Sequence, residues 1–358
     1  MPGTLVVGPA WIGDMVMAHT LVQRLHQALP DESIEMVAPP ATAPIAQRMA
    51  EVTKVHELAA GHGELGVGKR FRLGRALAEQ KFSRSFVLPN SWKSALVPFF
   101  ARIPKRSGWL GEARYLLLND TASLPADRLP LMIERFMGLV DIGSMPAKPY
   151  PQPRLTVNPA QQAKLLASHQ LLVAEGVDAA RAIALCPGAE FGEAKRWPEG
   201  HFVEVAKKSV SEGCEVWLMG GPADRDLCQR IASQVHENAG LVKNLAGQTS
   251  LPDVVDLLAA AGACVCNDSG LMHVACAVDT PVVALYGSTS PGFTPPLHPD
   301  ARALTLVDID DGSAKLDCQP CFQRTCRYEH RNCLVEIEPD YVLDQLATLG
   351  VFTGASRL

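Results

Sequence analysis

Three short runs of small and charged residues have the chemistry to hold a phosphate. Gly188-Ala189-Glu190-Phe191-Gly192-Glu193-Ala194-Lys195-Arg196-Trp197-Pro198 follows an apolar stretch that reads as a strand. Its small residues let the backbone approach a ligand closely, and Lys195 and Arg196 place positive charge ahead of a helix whose Pro198 suits a first-turn position. The combination suits a diphosphate. It is not a Walker loop, because the spacing G-x4-G-K-[ST] is absent, and a solvated loop with a basic helix start would use the same residues. Gly220-Gly221-Pro222 closes the next strand with a tight turn. Asn267-Asp268-Ser269-Gly270 joins the strand Ala263 to Cys266 to a helix carrying Met272, His273, Val274 and Ala277, where backbone N–H groups at the helix start attract anions. The same four residues are good capping chemistry wherever they fall.

A carboxylate able to take a proton stands near the start of the chain. Asp14 lies where the loop Pro9 to Asp14 meets a helix expected from about Met15 to Leu29, and it could act as a general base toward a hydroxyl or simply as an N-terminal cap. Gly13 beside it belongs to no G-x-G-x-x-G run, which argues against dinucleotide binding. Two D-x-D sequences, Asp224-Arg225-Asp226 and Asp308-Ile309-Asp310, could hold a divalent metal with a nucleotide sugar. The first reads equally as acidic residues in a helix's first turn and the second as a solvated turn. Cys318, Cys321, Cys326 and Cys333, spaced C-x2-C-x4-C-x6-C, are a candidate structural zinc site in a reducing compartment, although the usual pattern has two well-separated pairs. Cys186, Cys264, Cys266 and Cys276 read as small buried hydrophobes.

The elements that must position these groups alternate between strand and helix. Strands are predicted at Thr4 to Gly8, Ser33 to Ala38, Thr53 to Leu58 and Arg84 to Leu88, with helices between them. Five prolines from Pro146 to Pro159 then break regular structure and mark a linker. A helix from about Ala160 to Glu175 opens a second alternating series, with strands at Ala182 to Cys186, Glu215 to Met219, Leu241 to Leu245, Ala263 to Cys266 and Val282 to Tyr286. The pattern predicts two α/β domains, residues 1–157 and 158–338, with residues 339–358 forming a C-terminal helix and tail that pack back toward the first domain. At 358 residues, 47% hydrophobic and 20% charged, the composition is that of a globular enzyme, and a net charge of -5 argues against a nucleic-acid partner. No apolar run is long enough to span a bilayer and no signal-like start is evident, so a cytoplasmic location is expected.

At these residues the chain resembles the heptosyltransferase family, glycosyltransferase family 9, over essentially its whole length. The segments that carry the resemblance are Gly8 to Met15, Pro89 to Ala95, Leu117 to Asp120, Cys186 to Gly192, Lys195 to Pro198, Asn267 to His273 and the Cys318 to Cys333 run. The resemblance implies a GT-B architecture, two Rossmann-like βαβ domains facing each other across a cleft, with the donor held by the second and the acceptor by the first. It implies inverting transfer of L-glycero-D-manno-heptose from ADP-heptose onto the first heptose of the lipopolysaccharide inner core. The partners would be the ADP-heptose donor, a heptosylated Kdo-lipid A acceptor and, peripherally, the inner leaflet of the cytoplasmic membrane. Carried onto this sequence, Asp14 matches the proposed base, Lys195 the lysine on the donor phosphates, and Asp268, Ser269, Gly270 and His273 the donor motif. Gly188, Ala189, Glu190, Gly220 and Gly221 complete the donor set with Arg196 in support, while Gly13, Asn90 and Lys93 belong to the acceptor side. No cofactor is required, because Lys195 and helix-start N–H groups can neutralise the leaving diphosphate. An anionic glycolipid acceptor would be met by Lys69, Arg70, Arg72, Arg75, Lys93, Arg102, Lys105, Arg106 and Arg114, interleaved with Trp92, Phe99, Phe100 and Trp109. A relative with another acceptor, a nucleotide-sugar epimerase of the same architecture and a non-catalytic nucleotide binder are the alternatives.

Overall fold

A computed structural model describes residues 3–60, 63–171, 181–309 and 316–352. The chain divides into two compact units, Met1–Thr156 and Val157–Leu358. The first contains β1 (Thr4–Val7), β2 (Ile34–Ala38), β3 (Val52–Glu57), β4 (Arg84–Val87), β5 (Lys105–Trp109) and β6 (Asp120–Ala122) in the sheet order β3-β2-β1-β4-β5-β6. The second contains β7 (Ala182–Cys186), β8 (Glu215–Leu218), β9 (Val242–Asn244), β10 (Ala263–Asn267), β11 (Val282–Tyr286) and β12 (Arg302–Thr305) in the order β12-β11-β10-β7-β8-β9. Every ladder is parallel. Counted within each unit, both sheets have the doubly wound order 3-2-1-4-5-6. The chain reverses its direction of winding between β1 and β4 and again between β7 and β10, and ligands bind beyond the carboxyl ends of such strand pairs. The four loops that leave those strands are the ones carrying Asp14, Asn90 with Lys93, Lys195 and Asp268.

β7, β10 and β11 are buried along their whole length, as parallel strands covered by helices on both faces must be. Ile183, Val216, Val265 and Val283 form one core with Phe202 and Val205 of the helix Glu199–Ser211. Val342 and Leu346 of the helix Pro339–Thr348 join that same core. The apolar face of the C-terminal helix thus packs within the second unit, and the tail 353–358 lies outside the described residues.

The proline-rich linker lies along the first unit up to Thr156, whose N–H donates to Arg48 O at 2.8 Å. The buried His19 accepts from the Arg154 N–H at Nδ1 (2.9 Å), so its proton sits on Nε2 and is donated to Glu51 at 2.6 Å. Two residues past Thr156, the Asn158 N–H donates to Asp256 in the second unit, and the Asn158 side chain caps the helix Pro159–Ser168. The expected helix to Glu175 stops at Ser168, and its last expected residues, 172–175, lie outside the described residues.

Two differences from the predicted elements matter for function. The first helix runs Ile12–Ala28, three residues ahead of its predicted start, with Trp11 as an N-cap residue that makes no side-chain cap bond. Asp14 therefore occupies the first turn and is not the N-cap. The second is Arg114, expected on a charged outer face but only 1% exposed. Its guanidinium donates to Pro89 O, to Trp109 O at 2.7 Å and to Asn90 Oδ1 at 3.1 Å, and burial pushes its pKa down to about 10. It is the bolt that fixes the loop after β4. Arg70 and Trp109 are likewise buried and leave the expected outer face. Removing Arg114 strands several carbonyl oxygens and empties the volume of a large side chain. Arg114→Ala is expected to destabilise the protein by about 3–5 kcal/mol, read as a lowered midpoint in urea unfolding.

Candidate active site

The loop after β7 is fastened at both ends by one side chain of β10. Asn267, fully buried, accepts from the Trp197 N–H at 2.9 Å and donates to Pro187 O at 2.8 Å. The intervening residues, including the short 3-10 turn Glu193–Lys195, are thereby held against the carboxyl edge of the sheet. The glycines are required by a neighbour. A Cβ at Gly188 would lie 2.4 Å from Asp224 Oδ1 and one at Gly220 would lie 2.7 Å from Asp224 Cβ, while the Gly221 N–H donates to Asp224 Oδ2 at 3.0 Å. The carboxylate of Asp224 gathers both glycine turns around itself. The first D-x-D sequence is thus used for packing two loops together. The second reaches Asp310, outside the described residues.

Within this frame Lys195 Nζ lies 2.7 Å from Asp268 Oδ2, with the two side chains 15% and 5% exposed. The ammonium also donates to Asp268 O at 3.3 Å, and the Phe191 ring centroid lies 5.1 Å from it. Asp268 is held in turn by its own N–H, which donates to Leu285 O at 3.0 Å. Ser269 stands in extended conformation at the N-cap of the helix Gly270–Ala277 and makes no side-chain cap bond. The capping reading of Asn267-Asp268-Ser269-Gly270 is thereby replaced by a division of labour. Asn267 braces the neighbouring loop, Asp268 pairs with Lys195, and Ser269 and Gly270 begin the helix whose N-terminus favours negative charge.

His273, one turn into that helix, is 4% exposed. Burial, aided by the charge of Lys195 and opposed by that of Asp268, lowers its pKa from 6.5 to about 4, so the imidazole is neutral at neutral pH. It can exchange hydrogen bonds but adds no charge. An unfolded chain takes up a proton at this position near pH 6.5 that the folded chain refuses until about pH 4. This group therefore costs no stability above pH 6.5 and progressively more as pH falls toward 4. His273→Gln is expected to flatten the melting temperature against pH across that interval relative to the unsubstituted protein.

In the first unit Asp14 and Gly13 lie half-buried in the first turn after β1. Thr42 Oγ1 donates to Pro9 O at 3.0 Å and ties that loop to the one after β2. Asn90 is exposed and held by Arg114, and Lys93 donates to Glu64 O at 3.2 Å. Among the residues expected to bind donor, Gly188, Lys195, Gly220, Gly221, Asp268, Ser269, Gly270 and His273 share one sheet edge. Ala189 is buried and Glu190 exposed in the same loop, and Arg196 reaches Ala189 O at 3.4 Å. Asn267 and Asp224, which build the frame, were missed by sequence reasoning. Their partners lie 70 or more positions away for Asn267, and Asp224 reaches Gly188 across an intervening strand and helix, so no local pattern marks either role.

The four clustered cysteines are neighbours in space: burial, with Cys321, Cys318 and Cys326 close by, pushes the Cys333 thiol up to about 11. Among the described residues, no group of three or more His, Cys, Asp or Glu side chains is placed to hold a metal ion. All four are free thiols of intermediate exposure. Their segment lies over the site loop, where Arg324 O accepts from the Ala194 N–H at 3.1 Å.

Residues 70–331 match glycosyltransferase family 9 (heptosyltransferase). The chain is 43% identical over 352 residues to lipopolysaccharide heptosyltransferase 2 of Salmonella typhimurium, covering 96% of this chain and 97% of the relative. It is 43% identical over 309 residues to lipooligosaccharide heptosyltransferase 2 of Haemophilus influenzae, covering 85% and 88%. The solved structure of E. coli ADP-heptose lps heptosyltransferase II matches with a TM-score of 0.84 at 38% identity, over 99% of this chain and 100% of that one. Matches of this breadth, on a two-unit parallel α/β fold whose switch-point loops carry an ion-paired lysine, establish that the chain belongs to glycosyltransferase family 9, the heptosyltransferases.

Proposed function

We propose that this protein transfers L-glycero-D-manno-heptose from ADP-heptose, with inversion, onto the first heptose of the lipopolysaccharide inner core. The observation that carries the reading is the Lys195–Asp268 pair at the second unit's switch point, beside a helix start whose N-cap residue, Ser269, makes no side-chain cap bond. That arrangement suits the diphosphate of ADP, and the relatives named above supply the sugar. Lys195, supported by Arg196 and the N–H groups at the start of Gly270–Ala277, stabilises the charge that grows on the departing ADP. Positive charge built into the protein takes the part a divalent metal plays in other transferases. Asp14 accepts the proton of the acceptor hydroxyl as it attacks the anomeric carbon from the side opposite the leaving group.

The acceptor is a glycolipid, and we place its docking face on the first unit, at the inner leaflet of the cytoplasmic membrane. No described helix is long and apolar enough to cross a membrane, so attachment would be by a surface. Phe71, Leu65 and Phe99 are 48%, 52% and 40% exposed, and Arg72, Arg75 and Arg102 are exposed among them. Acceptor choice is tested by offering ADP-heptose with Kdo-lipid A bearing one heptose or none. Addition of one heptose to the first acceptor alone, in the anomeric configuration opposite to the donor's, is the expected product. Equal use of both acceptors would contradict the assignment.

A further inference from the structure

We propose that Arg324, on the cysteine-rich segment, is a further cation for the donor diphosphate besides Lys195 and Arg196, stacked on the same Phe191 ring that Lys195 approaches. The proposal rests on the reading of the site as one for an ADP-sugar. Arg324 Cζ and Lys195 Nζ each lie 5.1 Å from the Phe191 ring centroid, so the two charges can be no farther apart than the sum of those distances.

The placement is built in. The Ala194 N–H, within Lys195's own 3-10 turn, donates to Arg324 O at 3.1 Å. A Cβ at Gly192 would lie 2.4 Å from that same oxygen, so glycine is needed for the two segments to touch. On its other side the cysteine-rich segment is fixed to the end of β11. The Phe322 N–H donates to Ser288 O at 2.7 Å, Gln319 Nε2 donates to Tyr286 O at 3.3 Å, and Leu334 fills the space that a side chain at Gly287 would need. The segment spans the carboxyl edge of the second sheet and presents the Arg324 guanidinium at the site, while Arg331 from the same segment donates to Glu193 O at 3.5 Å.

Charge accounting shows why a further cation is wanted. Lys195 is already neutralised by Asp268 at 2.7 Å, and in the same loop Glu190 and Glu193 outnumber the one remaining cation, Arg196. A diphosphate arriving there would meet little net positive charge from Lys195 alone. Arg324 is in no ion pair among the described residues and is exposed. Stacking on Phe191 leaves the in-plane N–H groups of a guanidinium available to phosphate oxygens.

The test compares Arg324→Gln and Arg324→Lys with the unsubstituted protein, measuring ADP affinity by calorimetry at low and high salt and adenosine binding by saturation-transfer NMR. Arg324→Gln is expected to weaken ADP on the order of tenfold at low salt and less at high salt, as for a charge-assisted bond at an exposed cation. Adenosine binding and melting temperature should not change, and Arg324→Lys should recover most of the ADP affinity. Unchanged ADP affinity in Arg324→Gln, or equal losses for ADP and adenosine, would overturn the proposal, the second by showing that the arginine only supports the fold. If the unsubstituted protein itself binds no ADP, the donor reading fails and takes this proposal with it. That outcome is visible before any variant is made.

Discussion

Asp14→Asn is expected to lower heptose transfer by about two to four orders of magnitude while leaving ADP affinity and melting temperature nearly unchanged. A carboxylate is too weak a base to ionise an alcohol beforehand, but in the transition state the attacking hydroxyl becomes strongly acidic and needs an acceptor within reach. Asp14 is suited by its position in the first turn after β1, at the switch point of the first sheet. Asparagine keeps the size and hydrogen-bonding outline of the side chain while losing its basicity. Asp14 is the third residue of that helix, where a carboxylate can also accept from backbone N–H groups at the helix start, so an unchanged melting temperature is what separates loss of the base from loss of such a bond. Steady-state transfer rates alongside ADP calorimetry check the result. Near-normal turnover in Asp14→Asn would assign the base elsewhere.

The second large effect is expected at Lys195. Lys195→Ala should weaken ADP by one to two orders of magnitude and slow transfer further, because the charge it answers is greater in the transition state than in the bound donor. It also leaves Asp268, 5% exposed, without its cation, so a lowered melting temperature should accompany the loss. Lys195→Ala/Asp268→Asn should recover stability while activity stays low, which separates the two consequences. Addition of magnesium or manganese should restore neither variant. Recovery by a divalent metal would mean that the site can work as a metal clamp.

Much of this site was legible because its loops follow the four strands that flank the two switch points, and those strands are strongly marked. Val282-Val283-Ala284-Leu285-Tyr286 is an unbroken apolar run, and the structure gives β11 the same bounds. β5 escaped notice because Lys105-Arg106-Ser107-Gly108-Trp109 opens with two charges and carries a glycine. It is a strand because β4 offers it a ladder and not because its residues prefer one. Arg114 was misjudged for a related reason. A sequence gives an arginine a charge, but only the packed loop shows that carbonyl oxygens surround it. The spacing of Cys318, Cys321, Cys326 and Cys333 drew attention to their own side chains, and gave no sign that the segment also lies against Gly192 and Ala194 and carries Arg324 to the donor loop. Contacts that join residues more than a hundred positions apart leave no periodic trace in the chain.

The central claim, that heptose is transferred and not merely bound or rearranged, is tested most directly by following ADP release and the mass of the lipid after incubating the protein with ADP-heptose, with and without a heptosylated Kdo-lipid A acceptor. The account predicts ADP release that depends on acceptor, matched mole for mole by lipid carrying one added heptose. Release of ADP or of an altered sugar without acceptor, or binding of ADP-heptose with no turnover when acceptor is present, would contradict it.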